Sequence, residues 1–235
     1  RMVMGWVSDD SMQPRPPPVG GDPGMPFRSI AIDGPIGVGK SALAERLAAR
    51  LDGSTILEER ENPFLADFYA GRAGAGLQAQ LFYLLNRHQQ QTAQRQASLF
   101  SQVTVCDYVF DKDKIFAYLN LDDNELFIYQ RLFDLLAKDV PAPDLVVYLQ
   151  APTELLVKRL KTREVDPDVE AMPMPDEDYL RELNEAYQHF FFHYSATPLL
   201  VVETSEFDPE TDDGALDELV RQITGMGKGT RYYIA

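Results

Sequence analysis

Short apolar runs alternate along this chain with longer amphipathic stretches. The runs lie at 29–33, 54–58, 103–107, 144–149 and 199–203. Between them, apolar positions recur with helical spacing at 41–51, 77–100, 125–138, 153–163 and 179–194. A run such as Leu145-Val146-Val147-Tyr148-Leu149 shows no polar alternation, so both of its faces need cover. Strands buried on both faces and separated by helices predict an α/β fold, a parallel sheet with helices on each side.

Residues 1–26 break this pattern. Pro14, Pro16, Pro17, Pro18, Pro23 and Pro26 fall here, with Gly20, Gly21 and Gly24 among them. Such a stretch predicts a disordered tail ahead of a folded domain at 27–235. The chain begins with Arg1, and Met25 stands just before the first run, so translation is expected to start at Met25.

Composition narrows the function classes. Of the 235 residues, 45% are hydrophobic and 25% charged, which is ordinary for a globular protein. Cys106 is the one cysteine, so no disulfide can form within the chain and a cytoplasmic location is expected. No apolar run approaches the roughly 20 residues of a membrane span. The net charge of −15 argues against a nucleic-acid polymer as partner. A small polyanion is still compatible with it, provided that basic residues gather locally.

They begin to gather at Gly34-Pro35-Ile36-Gly37-Val38-Gly39-Lys40-Ser41, which fits the P-loop pattern G-x-x-x-x-G-K-[ST]. The loop follows a predicted strand and opens a predicted helix, as that motif requires. Its glycines let backbone N–H groups, Val38 included, turn toward phosphate oxygens, and the helix directs its positive end at the same anion. Lys40 brings a charge to the β and γ phosphates, and Ser41 brings a hydroxyl to Mg²⁺. The implied cofactors are ATP, or another nucleoside triphosphate, and Mg²⁺.

Other segments speak to the acceptor. Residues 61–69 (Glu61-Asn62-Pro63-Phe64-Leu65-Ala66-Asp67-Phe68-Tyr69), 78–87 (Gln78 to Arg87), 107–117 (Asp107 to Ala117), 143–151 (Pro143 to Ala151) and 190–194 (Phe190 to Tyr194) follow one another in a distinctive order. In order and spacing, over roughly 28–205, the chain resembles the bacterial deoxynucleoside kinases, the P-loop enzymes for deoxyadenosine, deoxyguanosine and deoxycytidine. The resemblance implies a five-stranded parallel sheet, a homodimer, and transfer from ATP to the 5′-hydroxyl of a deoxynucleoside.

It also implies roles for residues. An attacking alcohol needs a base, and the family's carboxylate at the end of the second strand matches Glu58. This chain is one residue shorter before Asn62, so Glu59 remains the alternative. Asp107 ends the third run and would hold Mg²⁺ with Ser41 near the substrate. Many family members follow this acid with Arg and Ser; here Tyr108 and Val109 follow. Lys112 or Lys114 could supply the missing charge, although both read equally well as exposed helix lysines. Gln80 would read the base through its amide, and Arg87, seven residues on and on the same helix face, would support it. A plain polar stripe with Gln89, Gln90, Gln91, Gln94 and Gln96 is the competing account. Phe64, Phe68, Phe110 and Phe116 are either stacking platforms or core. Arg159, Lys161 and Arg163 match a basic lid over the triphosphate, or else a solvated helix end. Glu170 is the choice for the family's sugar-binding acid. His189 and His193 lack a third ligand and read as packing residues.

Two other readings stay open at this point. A nucleoside monophosphate kinase would want an arginine where Tyr108 stands. A non-catalytic nucleotide-binding regulator would not need Glu58, Asp107 and the lid.

Overall fold

Each apolar run becomes a strand, and those at 54–58 and 103–107 stop short of their terminal acids. A computed structural model describes residues 26–59, 61–97, 103–162, 175–208 and 211–234. In it β1 (Ser29–Asp33) leads into α1 (Lys40–Arg50), and β2 (Ser54–Ile56) precedes α2 (Leu65–Tyr69) and α3 (Ala75–Ala97). Next come β3 (Thr104–Cys106), a 3₁₀ turn (Phe110–Lys112), α4 (Asp113–Asn120) and α5 (Asp123–Leu136). The chain continues through β4 (Leu145–Gln150), α6 (Thr153–Thr162), α7 (Glu177–Phe192), β5 (Leu199–Glu203), α8 (Asp213–Thr224) and β6 (Thr230–Ile234).

The sheet is parallel throughout, in the order β2-β3-β1-β4-β5-β6. The expected five strands are therefore six. The addition, β6, pairs beside β5 at an edge, where Tyr232 and Ile234 stay exposed. An edge strand needs no continuous apolar run, which is why this segment does not announce itself. Because β1 is central, the chain leaves it toward β3 and β2 and comes back past it to β4 and β5. The carboxyl ends of these strands then surround one crevice, the usual ligand position in such sheets.

Alternate residues of each strand feed two layers. Ile30, Ile32, Val105, Val147, Leu200 and Val202 pack beneath α1 and α8, against Leu43, Leu47, Leu219 and Ile223. Ala31, Cys106, Val146, Tyr148, Leu199 and Val201 face Ile115 of α4 and Leu183, Tyr187 and Phe191 of α7. A third cluster lies off the sheet, where Leu84, Ala117, Tyr129 and Phe133 join α3, α4 and α5. Burying one large apolar side chain in such a layer contributes about 1.5–3 kcal/mol. Helix α5 starts at a capping box: the Asp122 carboxylate accepts from Glu125 N at 2.9 Å, and Glu125 reaches back to Asp122 N.

Among the described residues no helix is long and apolar enough to cross a membrane. Residues 1–25 of the predicted tail, together with Arg163 and Glu170, lie outside the described residues.

Candidate active site

The loop 34–39 joins β1 to α1 in the conformation its glycines permit. Gly34 takes φ +154°, and a Cβ there would stand 2.3 Å from the Leu149 carbonyl oxygen, so only glycine fits. Gly39, with φ +95°, sits at the left-handed position that opens α1. The first turn of α1 thus points its free N–H groups into the crevice. Lys40 folds back over the loop, its Nζ donating to Gly34 O at 2.8 Å and Pro35 O at 3.1 Å.

Asp33 fastens this loop to the segment after β3. It is fully buried and accepts from Gly34 N at 2.7 Å, Val109 N at 2.8 Å and Tyr187 Oη at 3.3 Å. Burial raises its pKa, while nearby Lys112 and Lys40 pull the other way. One carboxylate therefore sets the spacing between the P-loop and residue 109. Nothing in the chain's periodicity singles it out.

A second carboxylate joins three elements. Asp107 accepts from Ser41 Oγ at 2.5 Å through one oxygen and from Glu58 N at 2.6 Å through the other. The strands end early enough, at Ile56 and Cys106, to leave Glu58 and Asp107 in the crevice. Ser41 and Asp107 offer hard oxygen donors side by side, the chemistry that Mg²⁺ takes alongside phosphate oxygens. Those two groups therefore fit the ion that the loop implies.

Glu58 is held from both sides. Arg87 Nε donates to its Oε1 at 2.8 Å, with Arg87 Nη2 on the same oxygen. Lys112 Nζ donates to its Oε2 at 2.8 Å. Burial works to raise the Glu58 carboxyl, but Arg87 and then Lys112 outweigh it and hold it well below the usual carboxylate range. Arg87 also pairs with the buried Asp113. Lys112 is 2% exposed, which corrects its reading as a solvent-exposed helix lysine. Lys114 lies elsewhere, 4.7 Å above the Phe133 ring.

A cleft of about 950 Å³ contains both halves of this arrangement. Gly37, Val38, Gly39, Lys40 and Ser41 line it on one side, and Glu58, Gln80, Arg87, Lys112 and Phe116 on the other. Gln80 is 6% exposed and faces this space, so it is no member of a solvated stripe. Gln90 and Gln91, by contrast, brace the core: Gln90 Oε1 accepts from Tyr108 Oη at 2.9 Å, and Gln91 Nε2 reaches Cys106 Sγ at 3.4 Å. Of the four phenylalanines, Phe68 and Phe116 line the cleft. Phe110 stacks on Phe133 at 5.2 Å in the third core cluster, and Phe64 packs edge-on to Phe82. Glu59 also lines the cleft but makes no contact with Arg87 or Lys112 of the kind Glu58 makes.

Arg159 borders the donor side. Its guanidinium donates to Thr204 Oγ1 at 3.1 Å, Thr204 O at 2.8 Å and Phe207 O at 3.0 Å. It thus ties α6 to the loop after β5 instead of projecting freely over the phosphates. Lys161 pairs with Glu177 at the surface. His189 and His193 pack against each other with tilted rings, centroids 4.5 Å apart, and among the described residues no group of three or more His, Cys, Asp or Glu could hold a metal.

Residues 30–226 match the deoxynucleoside kinase family. The chain belongs to that family. It is 35% identical over 189 residues to the deoxyadenosine kinase of Dictyostelium discoideum, covering 77% of this chain and 74% of that one. It is 25% identical to the deoxyadenosine/deoxycytidine kinase of Bacillus subtilis (strain 168), over 84% of this chain and 92% of that one. Its fold is similar to the structure of deoxyadenosine kinase from M. mycoides with bound dCTP, with a TM-score of 0.64 and 22% identity over 82% of this chain and 96% of that one.

The cleft of this deoxynucleoside kinase includes residues that sequence reasoning passed over. Tyr69, Tyr83, Asn120, Tyr179 and Tyr187 all line it, and Asn120 Nδ2 donates to Tyr179 Oη at 3.1 Å. Burial pushes the Tyr179 hydroxyl up to about 12, and the Tyr83 hydroxyl likewise, so both remain donors at neutral pH. Tyr179 and Tyr187 sit eight residues apart on one face of α7, a spacing that could have marked them.

Proposed function

We propose that this deoxynucleoside kinase transfers the γ-phosphate of ATP to the 5′-hydroxyl of a deoxynucleoside, with Glu58 as the base. The observation that carries this reading is the Ser41–Asp107–Glu58 chain of hydrogen bonds. It fastens the Ser41 hydroxyl to the backbone of Glu58, whose carboxylate lines the same cleft. Glu58 is ionised at neutral pH, since Arg87 and Lys112 hold its pKa down. It can therefore accept the hydroxyl proton as O5′ attacks the γ-phosphorus. The O5′–P bond forms while the bond from that phosphorus to the β–γ bridging oxygen breaks, and the electron pair leaves on ADP.

The backbone of Gly34, Gly37, Val38 and Gly39 suits the triphosphate, and Lys40 would leave the carbonyls of Gly34 and Pro35 for its β and γ oxygens. Ser41 and Asp107 would hold Mg²⁺, which would supply neutralising charge for the phosphates. Gln80, supported by Arg87, reads the base edge, with Phe116 against its face. Arg159 acts by holding the wall of the donor pocket through Thr204 and Phe207. Arg163 keeps the lid role and Glu170 the sugar role that the resemblance implies. The relatives named for deoxyadenosine and deoxycytidine support a deoxynucleoside acceptor, and the bound triphosphates of the M. mycoides structures support a triphosphate ligand.

A homodimer suits the exposed apolar residues on two adjacent helices. Leu85 on α3 and Phe127, Ile128 and Leu135 on α5 are all about half exposed or more. A cytoplasmic setting suits the buried free thiol of Cys106.

The test is direct. The protein is incubated with labelled ATP, Mg²⁺, and panels of deoxynucleosides and deoxynucleoside monophosphates. Label transfer to deoxynucleosides is expected. Transfer to monophosphates alone, or ATP binding with no transfer, would overturn the reading.

A further inference from the structure

Tyr108 occupies the position where the resemblance places an arginine, yet it cannot supply a charge. It is 1% exposed, and its hydroxyl is spent on Gln90. Its ring instead lies beside two cations, with Arg87 Cζ at 5.7 Å and Lys112 Nζ at 5.8 Å from the centroid. Of these two, Arg87 is committed to both Glu58 and the buried Asp113. Among the described residues Lys112 forms an ion pair with one acid, Glu58.

Lys112 is also fixed relative to the P-loop. It closes the 3₁₀ turn by donating its N–H to Val109 O at 3.1 Å, and Val109 N is bound by the same Asp33 that binds Gly34 N. Lys112 and Lys40 line the same cleft. Lys112 is paired with Glu58 and Lys40 is turned onto the loop carbonyls, so the cleft has a cation on its acceptor wall as well as on its P-loop wall, both within an anionic ligand's reach.

We propose that Lys112 is a catalytic residue of this kinase: it passes from Glu58 Oε2 to the transferred phosphoryl group when the donor binds. The move leaves Oε2 open to the 5′-hydroxyl and brings a charge from the acceptor side, opposite Lys40, onto the equatorial oxygens. Lys112 makes or breaks no covalent bond. This inference rests on Glu58 being the base.

The experiment compares Lys112→Gln, which keeps a donor for Glu58 without charge, with Lys112→Arg, which keeps the charge. Removing a positioned charge should lower kcat of Lys112→Gln by roughly 100-fold or more, with the deoxynucleoside KM within about threefold. ATP affinity should fall about tenfold while ADP affinity stays nearly constant, because only ATP carries the γ-phosphate. Lys112→Arg should recover at least about tenfold of the lost kcat. The proposal is overturned if a folded Lys112→Gln, judged by circular dichroism and thermal midpoint, turns over at close to the wild-type rate. It is equally overturned if ATP and ADP weaken together. Glu58→Gln serves as the separating control: if that variant stays active the base assignment has failed, whereas an inactive Glu58→Gln beside an active Lys112→Gln removes only the role of Lys112.

Discussion

Arg87 donates from Nε to Glu58 Oε1 at 2.8 Å, which ties the middle of α3 to the end of β2. Because Arg87 also pairs with Asp113, its guanidinium links the Glu58 carboxylate to the start of α4. All three charges are taken largely out of water: Arg87 side chain 5% exposed, Asp113 0% and Glu58 23%. Such a cluster holds only while its charges remain matched.

Arg87→Ala should therefore destabilise the protein by about 3–5 kcal/mol, since Asp113 is left buried and uncompensated. The surface pair Arg50–Asp217 offers the contrast. Its side chains are 55% and 47% exposed, so Arg50→Ala should cost at most about 1 kcal/mol. Urea denaturation of both variants measures the difference. Equal losses would refute the view that Arg87 holds a buried cluster.

Glu58→Gln should lower kcat by about 10²–10⁴, the range that a positioned base contributes. Deoxynucleoside binding, followed by calorimetry, should persist because the amide keeps an acceptor for Arg87 and the pocket keeps its shape. Glu59→Gln should behave like wild type, since among the described hydrogen bonds Glu59 accepts only from Glu61 N, at 3.5 Å. If the damage follows Glu59 instead, the base has been assigned one residue early.

The central strands and the P-loop were legible because their signals are local. A both-face-buried strand shows as an unbroken apolar run, and a phosphate loop shows as spaced glycines before a lysine. Glu58, Gln80 and Arg87 were legible only through the family resemblance, because a charged residue at a strand end or on a helix looks the same whether it faces solvent or a cleft. Lys112 demonstrates the difficulty. Its burial depends on Glu58, which lies 54 residues away in the chain, and on the Tyr108 ring. Asp33 is similar, since its partners Val109 and Tyr187 arrive from the segment after β3 and from α7. The short helices α2 and α4 span five and eight residues, too few for a clear period. Strand β6 escaped notice because half of it faces solvent.

Cys106 should resist thiol reagents while the protein is folded. It is 5% exposed in the β3 core, and burial raises its pKa far above the ordinary thiol value. The thiolate is the reactive form. Titration with a chromogenic disulfide should find no reactive thiol in buffer and one in denaturant. Fast reaction in buffer would mean that β3 is far more accessible than its packing implies.

Ile128→Glu combined with Leu135→Glu should yield a monomer if α3 and α5 form the proposed dimer face. Both side chains are exposed, 54% and 60%, so the substitutions should leave the fold intact. Light scattering after gel filtration reads the mass. A wild-type dimer that survives both charges would assign the contact to another face, and a wild-type monomer would refute the dimer itself.

Lys40 should impose opposite pH trends on stability and on ATP binding. Its amine is pushed down to about 8 from its ordinary value of 10.5, first by burial and then by Lys112, while Asp33, Glu58 and Asp107 oppose the shift. The unfolded chain keeps the proton to higher pH than the folded one. Below about 8 both states are charged, and the cost of burying that charge is present in full. As pH climbs from about 8 toward 10.5, the folded amine is neutral while the unfolded one is still protonated, so this residue's contribution moves in favour of folding. ATP needs the charged amine, so its affinity for the nucleotide-free protein should decline over the same interval. Lys40→Met removes both trends together. Calorimetry of ATP binding and urea denaturation, each run on wild type and Lys40→Met across this interval, provide the check. An ATP affinity that stays level in wild type, or that declines equally in Lys40→Met, would show that Lys40 is not the titrating group at the phosphates.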